Sequence, residues 1–321
     1  MSARNVVSIL RPPHHATALR EFAERWFDEE SVLWRPATIA TRRSLMNAHI
    51  LPAVDGHRID GLDRAEITAL RARLARGRTP TGRIRSAKQV NAVLRLLGRM
   101  LAERERQHGV PNPCVELRRI PEQRTDIRPF TLPELAALRA HAPDHLADYV
   151  WIRGLTGLRS GEANGLRWCD VDLDHGTFCV RVTRVNRAEQ PPKNHYSERR
   201  IQMLPSVREA FVRQRARTAG GETVFATCRG KPIDSRDFAK RDWRRLLSAA
   251  GLAHRSPEQL RHTAATLMLA AGEAPTYIAR VLGHADIQQL LTTYARFMPD
   301  ALGQRDGSRM QAAVEGIDPS P

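Results

Sequence analysis

Tyr294 stands ten residues after His284, and both follow Leu260-Arg261-His262-Thr263. Upstream lie Arg159, within Thr156-Gly157-Leu158-Arg159-Ser160-Gly161-Glu162, and Lys193, followed by Ser197 and Arg199. A phenol, two guanidiniums, an ammonium and an imidazole are groups that can attack a phosphodiester without a metal. The phosphate is anionic and repels nucleophiles, and planar Arg spreads its charge through bidentate hydrogen bonds. The leaving oxygen needs a proton, which Lys can give up and Arg effectively cannot. A phenol can form a covalent intermediate that conserves the bond energy for rejoining. With an ordinary pKa near 10, it needs help to lose its proton.

Lysine usage points the same way. Of 51 basic residues four are Lys: Lys88, Lys193, Lys231 and Lys240. A chain that takes Arg almost everywhere has a Lys at 193, in a polar turn-rich stretch, which suits a proton donor. The net charge is +16, with +10 in residues 1–124 and +6 in the remaining 197. Such a surface suits a polyanion, because each neutralised phosphate releases condensed counterions. An Arg-rich composition alone gives the same excess, so the spacing of the motifs has to decide.

The remaining composition bounds the class. A length of 321 residues allows about two domains. No apolar run is long enough to span a bilayer. The N-terminus lacks the apolar core of a signal peptide, so a cytoplasmic protein is expected. The four cysteines, Cys114, Cys169, Cys179 and Cys228, form no CxxC pair and have no zinc-ligand spacing with His. They read as reduced, mostly buried thiols. No metal and no cofactor are expected.

Apolar spacing at three and four residues predicts helices over 18–26, 38–50, 64–76 and 86–107. Val90, Val93, Leu94, Leu97 and Leu101 form the predicted core stripe of this small bundle. Arg42, Arg43, Arg83, Arg85 and Lys88 fall on its outside and are read as contacts to a DNA backbone. Residues 111–129 carry prolines and charges and read as a connection. Helices follow from Thr131 and over 144–154. Residues 177–183 alternate as a strand, with Arg199 to Leu204 as its partner and 186–198 between them. Helices are then predicted over 206–218, 235–250, 258–271, 275–282 and 286–295.

In the stretches TGLRSGE, LRHT, and LGH with a tyrosine ten residues on, the chain resembles the tyrosine recombinases, the phage integrase family. The resemblance extends over nearly all of residues 14–300 and is strongest over 153–172 and 256–298. It implies a mainly α fold with a small β-sheet. A helical core-binding (SAM-like) domain would span 14–118, a linker 119–130 and an α+β catalytic domain 131–306. A basic leader (1–13), too short for a separate arm-site-binding domain, and a tail (307–321) would be flexible. Arg159 and Arg261 match the pair that clamps the scissile phosphate. Lys193 matches the hairpin lysine that protonates the leaving 5′-oxygen. His284 matches the histidine that hydrogen-bonds the phosphate, and Tyr294 the nucleophile that forms a 3′-phosphotyrosyl link.

The resemblance further implies a site-specific recombinase that integrates or excises a mobile element. Its partners would be double-stranded DNA attachment sites and accessory DNA-bending or directionality proteins. It would be a monomer in solution and a homotetramer on DNA, without membrane contact, and nucleoid-associated. Three other functions fit the same residues: a DNA-binding regulator with an impaired site, a type IB topoisomerase-like enzyme, and a chromosome-resolving recombinase.

One position departs from the pattern. The family usually has His three residues before the second Arg, and here that residue is Glu258. A carboxylate beside a phosphate is repelled unless paired or protonated. Glu258 could accept the Tyr294 proton, orient Arg261 or Arg159, or mark lost activity. His262 and Glu162 are read as structural hydrogen-bonding residues.

Overall fold

Local signals start the helices. Asp63 with Glu66, Ser86 with Gln89 and Thr131 with Glu134 each form a reciprocal capping box at a helix N-terminus. In the computed structural model the described residues are 18–79, 82–122, 126–185, 187–191, 198–284 and 286–297. The expected leader and tail lie outside them. The chain divides into two compact units, Met1–Thr125 and Asp126–Pro321.

The first unit holds α1 (Leu19–Ser31), α2 (Pro36–Leu45), α3 (Leu51–Val54), α4 (Arg64–Arg76) and α5 (Ala87–His108). The predicted stripe Val90, Val93, Leu94, Leu97 and Leu101 on α5 is buried with Phe22, Trp26 and Phe27 of α1. The single helix predicted over 38–50 is interrupted. Met46–Ile50 forms a π-helical turn, and the Leu51 N–H reaches back to the Met46 carbonyl. Pro52 has no N–H with which to continue the α ladder. Part of the expected connection is fastened to this unit. The Asn91 side chain donates to the Ile120 carbonyl at 2.8 Å and accepts the Ile120 N–H at 3.0 Å. Arg64 and Arg71 donate to the carbonyls of Val115 and Arg118.

The second unit begins with α6 (Leu132–His141), α7 (Asp144–Thr156) and α8 (Ser160–Asn164). Strands β1 (Val171–Asp172), β2 (Thr177–Val180), β3 (Thr183–Val185), β4 (Ala188–Gln190) and β5 (Arg199–Gln202) follow. β1, β2 and β5 make an antiparallel sheet in the order β1-β2-β5, with Phe178 opposite Ile201. β3 and β4 form a separate hairpin. The alternation across 177–183 therefore breaks after Val180, and the chain starts a second hairpin at Thr183. Next come α9 (Pro205–Thr218), α10 (Ser235–Asp237), α11 (Trp243–Ala249), α12 (Gln259–Ala270), α13 (Pro275–Leu282) and α14 (Ile287–Tyr294). The main core gathers Tyr149, Phe178, Phe211, Phe225 and Trp243. A smaller one joins α12, α13 and α14 through Ala265, Leu269, Ile278, Leu282, Leu290 and Tyr294.

The cysteines differ from expectation. Cys169 and Cys228 are exposed, while Cys114 and Cys179 are half-buried. Cys169 lies in a one-turn 3-10 helix, and Cys228 in the turn between the Ala226 and Pro232 bridge partners, both outside the packed layers.

Candidate active site

Helix α7 ends on Gly157, whose φ of 70° is a left-handed conformation. A Cβ there would lie 2.4 Å from Leu282 Cδ2, so glycine allows both the turn and the close approach of α13. The turn delivers Arg159 to the N-terminus of α8. The Arg159 N–H donates to Glu162 Oε2 at 2.9 Å, and its Nη1 donates to Glu162 Oε1 at 2.8 Å. Glu162 is 1% exposed and also accepts from Arg199 Nη2 at 2.9 Å and Nη1 at 3.2 Å. Arg199 Nε donates to the Val281 carbonyl at 2.6 Å, and Arg159 Nη1 makes a longer contact to the Leu282 carbonyl. Guanidiniums thus engage carbonyls at the C-terminus of α13, where the helix dipole is negative.

Arg261, in the first turn of α12, is 4% exposed. Its Nη1 donates to the Gly157 carbonyl at 2.9 Å, and its Nη2 is buried with no partner among the described residues. His284 follows the left-handed stop at Gly283, and its Nδ1 is likewise buried without a described partner. Burial, then the charges of Arg261, Arg159 and Arg199, push the His284 imidazole down to about 4, so it is neutral at pH 7. Burial and then Arg159 lower Arg261 to about 10, which leaves it cationic. For Glu162 burial acts upward, but Arg199, Arg159 and Arg261 together outweigh it and hold the carboxyl at about 2.

Tyr294, the last residue of α14, is 1% exposed. Its hydroxyl lies 2.7 Å from His262 Nδ1. Burial pushes the phenol up to about 12; Arg261 and Arg159 pull it down, and Glu258 pushes it up. Burial lowers the His262 pKa, with Glu258 acting upward and Arg261 downward.

The turn before α8 and the helices α12 to α14 thus bring together Arg159, Arg261, His284 and Tyr294. Lys193 lies outside the described residues. Glu258 is exposed and precedes α12, and its side chain does not cap that helix. Its carboxylate makes no hydrogen bond or ion pair with a described residue. Of the two arginines it could orient, Arg159 is bonded to Glu162 and Arg261 to the Gly157 carbonyl. The Glu258 charge raises the pKa of both Tyr294 and His262.

In the first unit Arg83 and Lys88 are exposed and Arg85 is half-buried. Arg42 is half-buried, with its guanidinium 4.1 Å from the Trp34 ring centroid. Arg43 pairs with Asp28 at 2.5 Å and lies 3.8 Å from the Phe27 ring centroid, so it is not a free surface cation.

Two residues gain positions their sequence signals did not give. Arg199 stands in the sequence six residues after Lys193 and at the start of a predicted strand, with no partner assigned to it. The alternation of β5 points it inward, where it completes the Glu162 network. His262 is read from sequence as a structural residue, yet it meets the Tyr294 hydroxyl across two helices. Its adjacency to Arg261 was the available signal. Among the described residues no cluster of His, Cys, Asp or Glu could hold a metal ion, and no helix is long and apolar enough to cross a membrane.

Residues 133–299, more than half of the chain, match the model of the Phage integrase family, and the chain belongs to that family. It is 27% identical over 217 residues to IntQ of Escherichia coli (strain K12), itself described as a defective protein. That match covers 59% of this chain and 54% of IntQ, so the chain spans little more than half the length of this relative. Among solved structures, the Tn1549 transposon integrase in complex with transposon right end DNA is similar, with a TM-score of 0.73 at 19% identity. The match covers 88% of this chain and 95% of that one. A lambda integrase tetramer bound to a Holliday junction gives a TM-score of 0.67 at 17% identity, covering 85% and 79%. These likenesses are likenesses of fold: mainly α with a small β-sheet.

Proposed function

We propose that this chain is a site-specific DNA recombinase that cleaves and rejoins duplex DNA through Tyr294. One observation carries the reading. Beside a phenol in the field of Arg159 and Arg261, two buried donors, Arg261 Nη2 and His284 Nδ1, have no described partner. Buried polar groups in folded proteins are nearly always satisfied. A phosphate oxygen supplies an acceptor for both, with His284 in its Nδ1–H tautomer.

The chemistry follows from these groups. Arg159 and Arg261 offset the charge that develops on the non-bridging oxygens. Tyr294 attacks phosphorus, leaving a 3′-phosphotyrosyl link and a 5′-oxygen that Lys193 protonates. A hydroxyl from a partner strand reverses the step. The chain acts on attachment sites of a mobile element as a homotetramer, as the lambda integrase tetramer on its junction suggests. Arg42, Arg83, Arg85 and Lys88 contact the DNA backbone.

The test uses nicked duplexes with a randomised core, which trap a covalent protein–DNA adduct once the cleaved strand falls away. The full chain should form an adduct resolved on a denaturing gel, and Tyr294→Phe should form none. An adduct from that variant overturns the reading. Glu258, exposed and without a bonded partner among the described residues, favours a second reading, a DNA-binding regulator that does not cleave. Selection of a specific duplex without any adduct would support it.

A further inference from the structure

In this proposed chemistry Tyr294 must lose a proton while buried, and the position expected to help, Glu258, is exposed and makes no hydrogen bond with a described residue. Burial of the phenol is the larger obstacle, and the Glu258 charge adds to it. The group that does touch the hydroxyl is His262. Its ring stands 5.6 Å from the Tyr294 ring, centroid to centroid, with Nδ1 at 2.7 Å from the oxygen. That separation is within the reach required of a general base. The two residues sit on α12 and α14, which pack in one apolar cluster with Ala265, Leu282 and Leu290, so the contact is held by the fold.

We propose that His262 is the general base of this chain: its Nδ1 takes the phenol proton as the Tyr294 oxygen bonds to phosphorus. The assignment rests on the recombinase reading above. The Tyr294 O–H bond breaks and an Nδ1–H bond forms, while the P–O bond to tyrosine forms and the bond to the 5′-oxygen breaks. The leaving oxygen takes its proton from Lys193. During rejoining His262 returns its proton to the departing phenol.

The surrounding charges fit the role. The groups acting on His262 are Glu258 and Arg261, with Tyr294 bonded to it. Burial, the largest influence, keeps the imidazole neutral at pH 7 and so able to accept. Once it is protonated, Glu258 offsets part of the cost and Arg261 adds to it. The proton does not cross in the free protein, where the phenol stands at about 12 and the imidazole below its ordinary 6.5. Transfer is therefore concerted with attack.

Single-turnover adduct formation is measured on a duplex recovered from the randomised nicked library, between pH 6.5 and 9. The wild-type rate is expected to be flat across the neutral range. His262→Asn keeps an acceptor near the hydroxyl but cannot take its proton. The expected result is a loss of about 10²–10⁴-fold at pH 7 and a rate that climbs with pH as hydroxide replaces the base. His262→Gln should behave alike. An unchanged rate, or an equal loss at every pH with DNA binding intact, overturns the assignment. An adduct from Tyr294→Phe overturns the recombinase reading, and a wild type that never forms an adduct removes both. A measurement without variants guards against misfolding: ¹⁵N-histidine spectra of the wild type at pH 7 should place the His262 proton on Nε2. A proton on Nδ1 overturns the proposal.

Discussion

Arg261 reaches across 2.9 Å to donate a hydrogen bond to the Gly157 carbonyl, tying α12 to the turn that carries Arg159. The bond fixes one half of the Arg261 guanidinium, while the buried Nη2 has no partner among the described residues. The carbonyl is presented by a left-handed residue whose missing Cβ also admits Leu282. Two arginines and α13 therefore depend on one glycine.

Gly157→Ala should destabilise the second unit by about 2–5 kcal/mol, combining the left-handed penalty with displacement of Leu282. Urea unfolding of the full chain checks this. An unchanged midpoint and slope would show that the turn relaxes freely.

Glu162→Gln keeps the shape but leaves Arg199, Arg159 and Arg261 without their shared anion. Removing one partner from a buried charge network costs about 3–5 kcal/mol. Because Glu162 is held at about 2, below its ordinary 4.5, its contribution is complete above 4.5 and is lost as pH falls towards 2. The stability gap between wild type and variant, measured by denaturation at pH 7, 4 and 3, should shrink over that acid range. A constant gap contradicts the argument.

His284 gives the opposite kind of group and a different window. Its imidazole is pushed from 6.5 down to about 4, so the folded protein resists protonating it. The stability this group lends is full above 6.5 and declines as pH falls to about 4. Relative to His284→Asn, the wild type should lose stability between pH 7 and pH 4.5. Parallel pH profiles would refute the assignment.

Arg83 and Lys88 are exposed, whereas Arg43 is held by Asp28 and stacked on Phe27. In duplex binding followed against salt, Arg83→Ala and Lys88→Ala should each make the log–log slope shallower by about 0.9. Arg43→Ala should change the slope less and the thermal stability more. The reverse ranking would reassign the backbone contacts.

Much of the fold is legible in the sequence because its signals are local. Capping boxes at Asp63, Ser86 and Thr131, glycine stops at 157 and 283, and the α5 stripe each report a neighbourhood of a few residues. The π-helical turn before Pro52 and the second hairpin at Thr183 are not legible there, because a breaker or an alternating run does not say which carbonyl it leaves or where pairing changes partner. The candidate site divides the same way. Arg159, Arg261, His284 and Tyr294 announce themselves through short motifs. The links between them, Arg199 to Glu162 and His262 to Tyr294, span 37 and 32 residues and arise from packing alone. Glu258 shows the limit most directly: its departure from the pattern is visible in the sequence, but its lack of a bonded partner among the described residues is not.

Among the described residues the cations bonded to Glu162 are guanidiniums, and Arg261, brought down to about 10, keeps its proton at neutral pH. Near neutral pH the positive potential of these arginines is therefore a fixed background. Proton transfer at this site is left to other groups, so proton traffic and electrostatic attraction can be adjusted by separate substitutions.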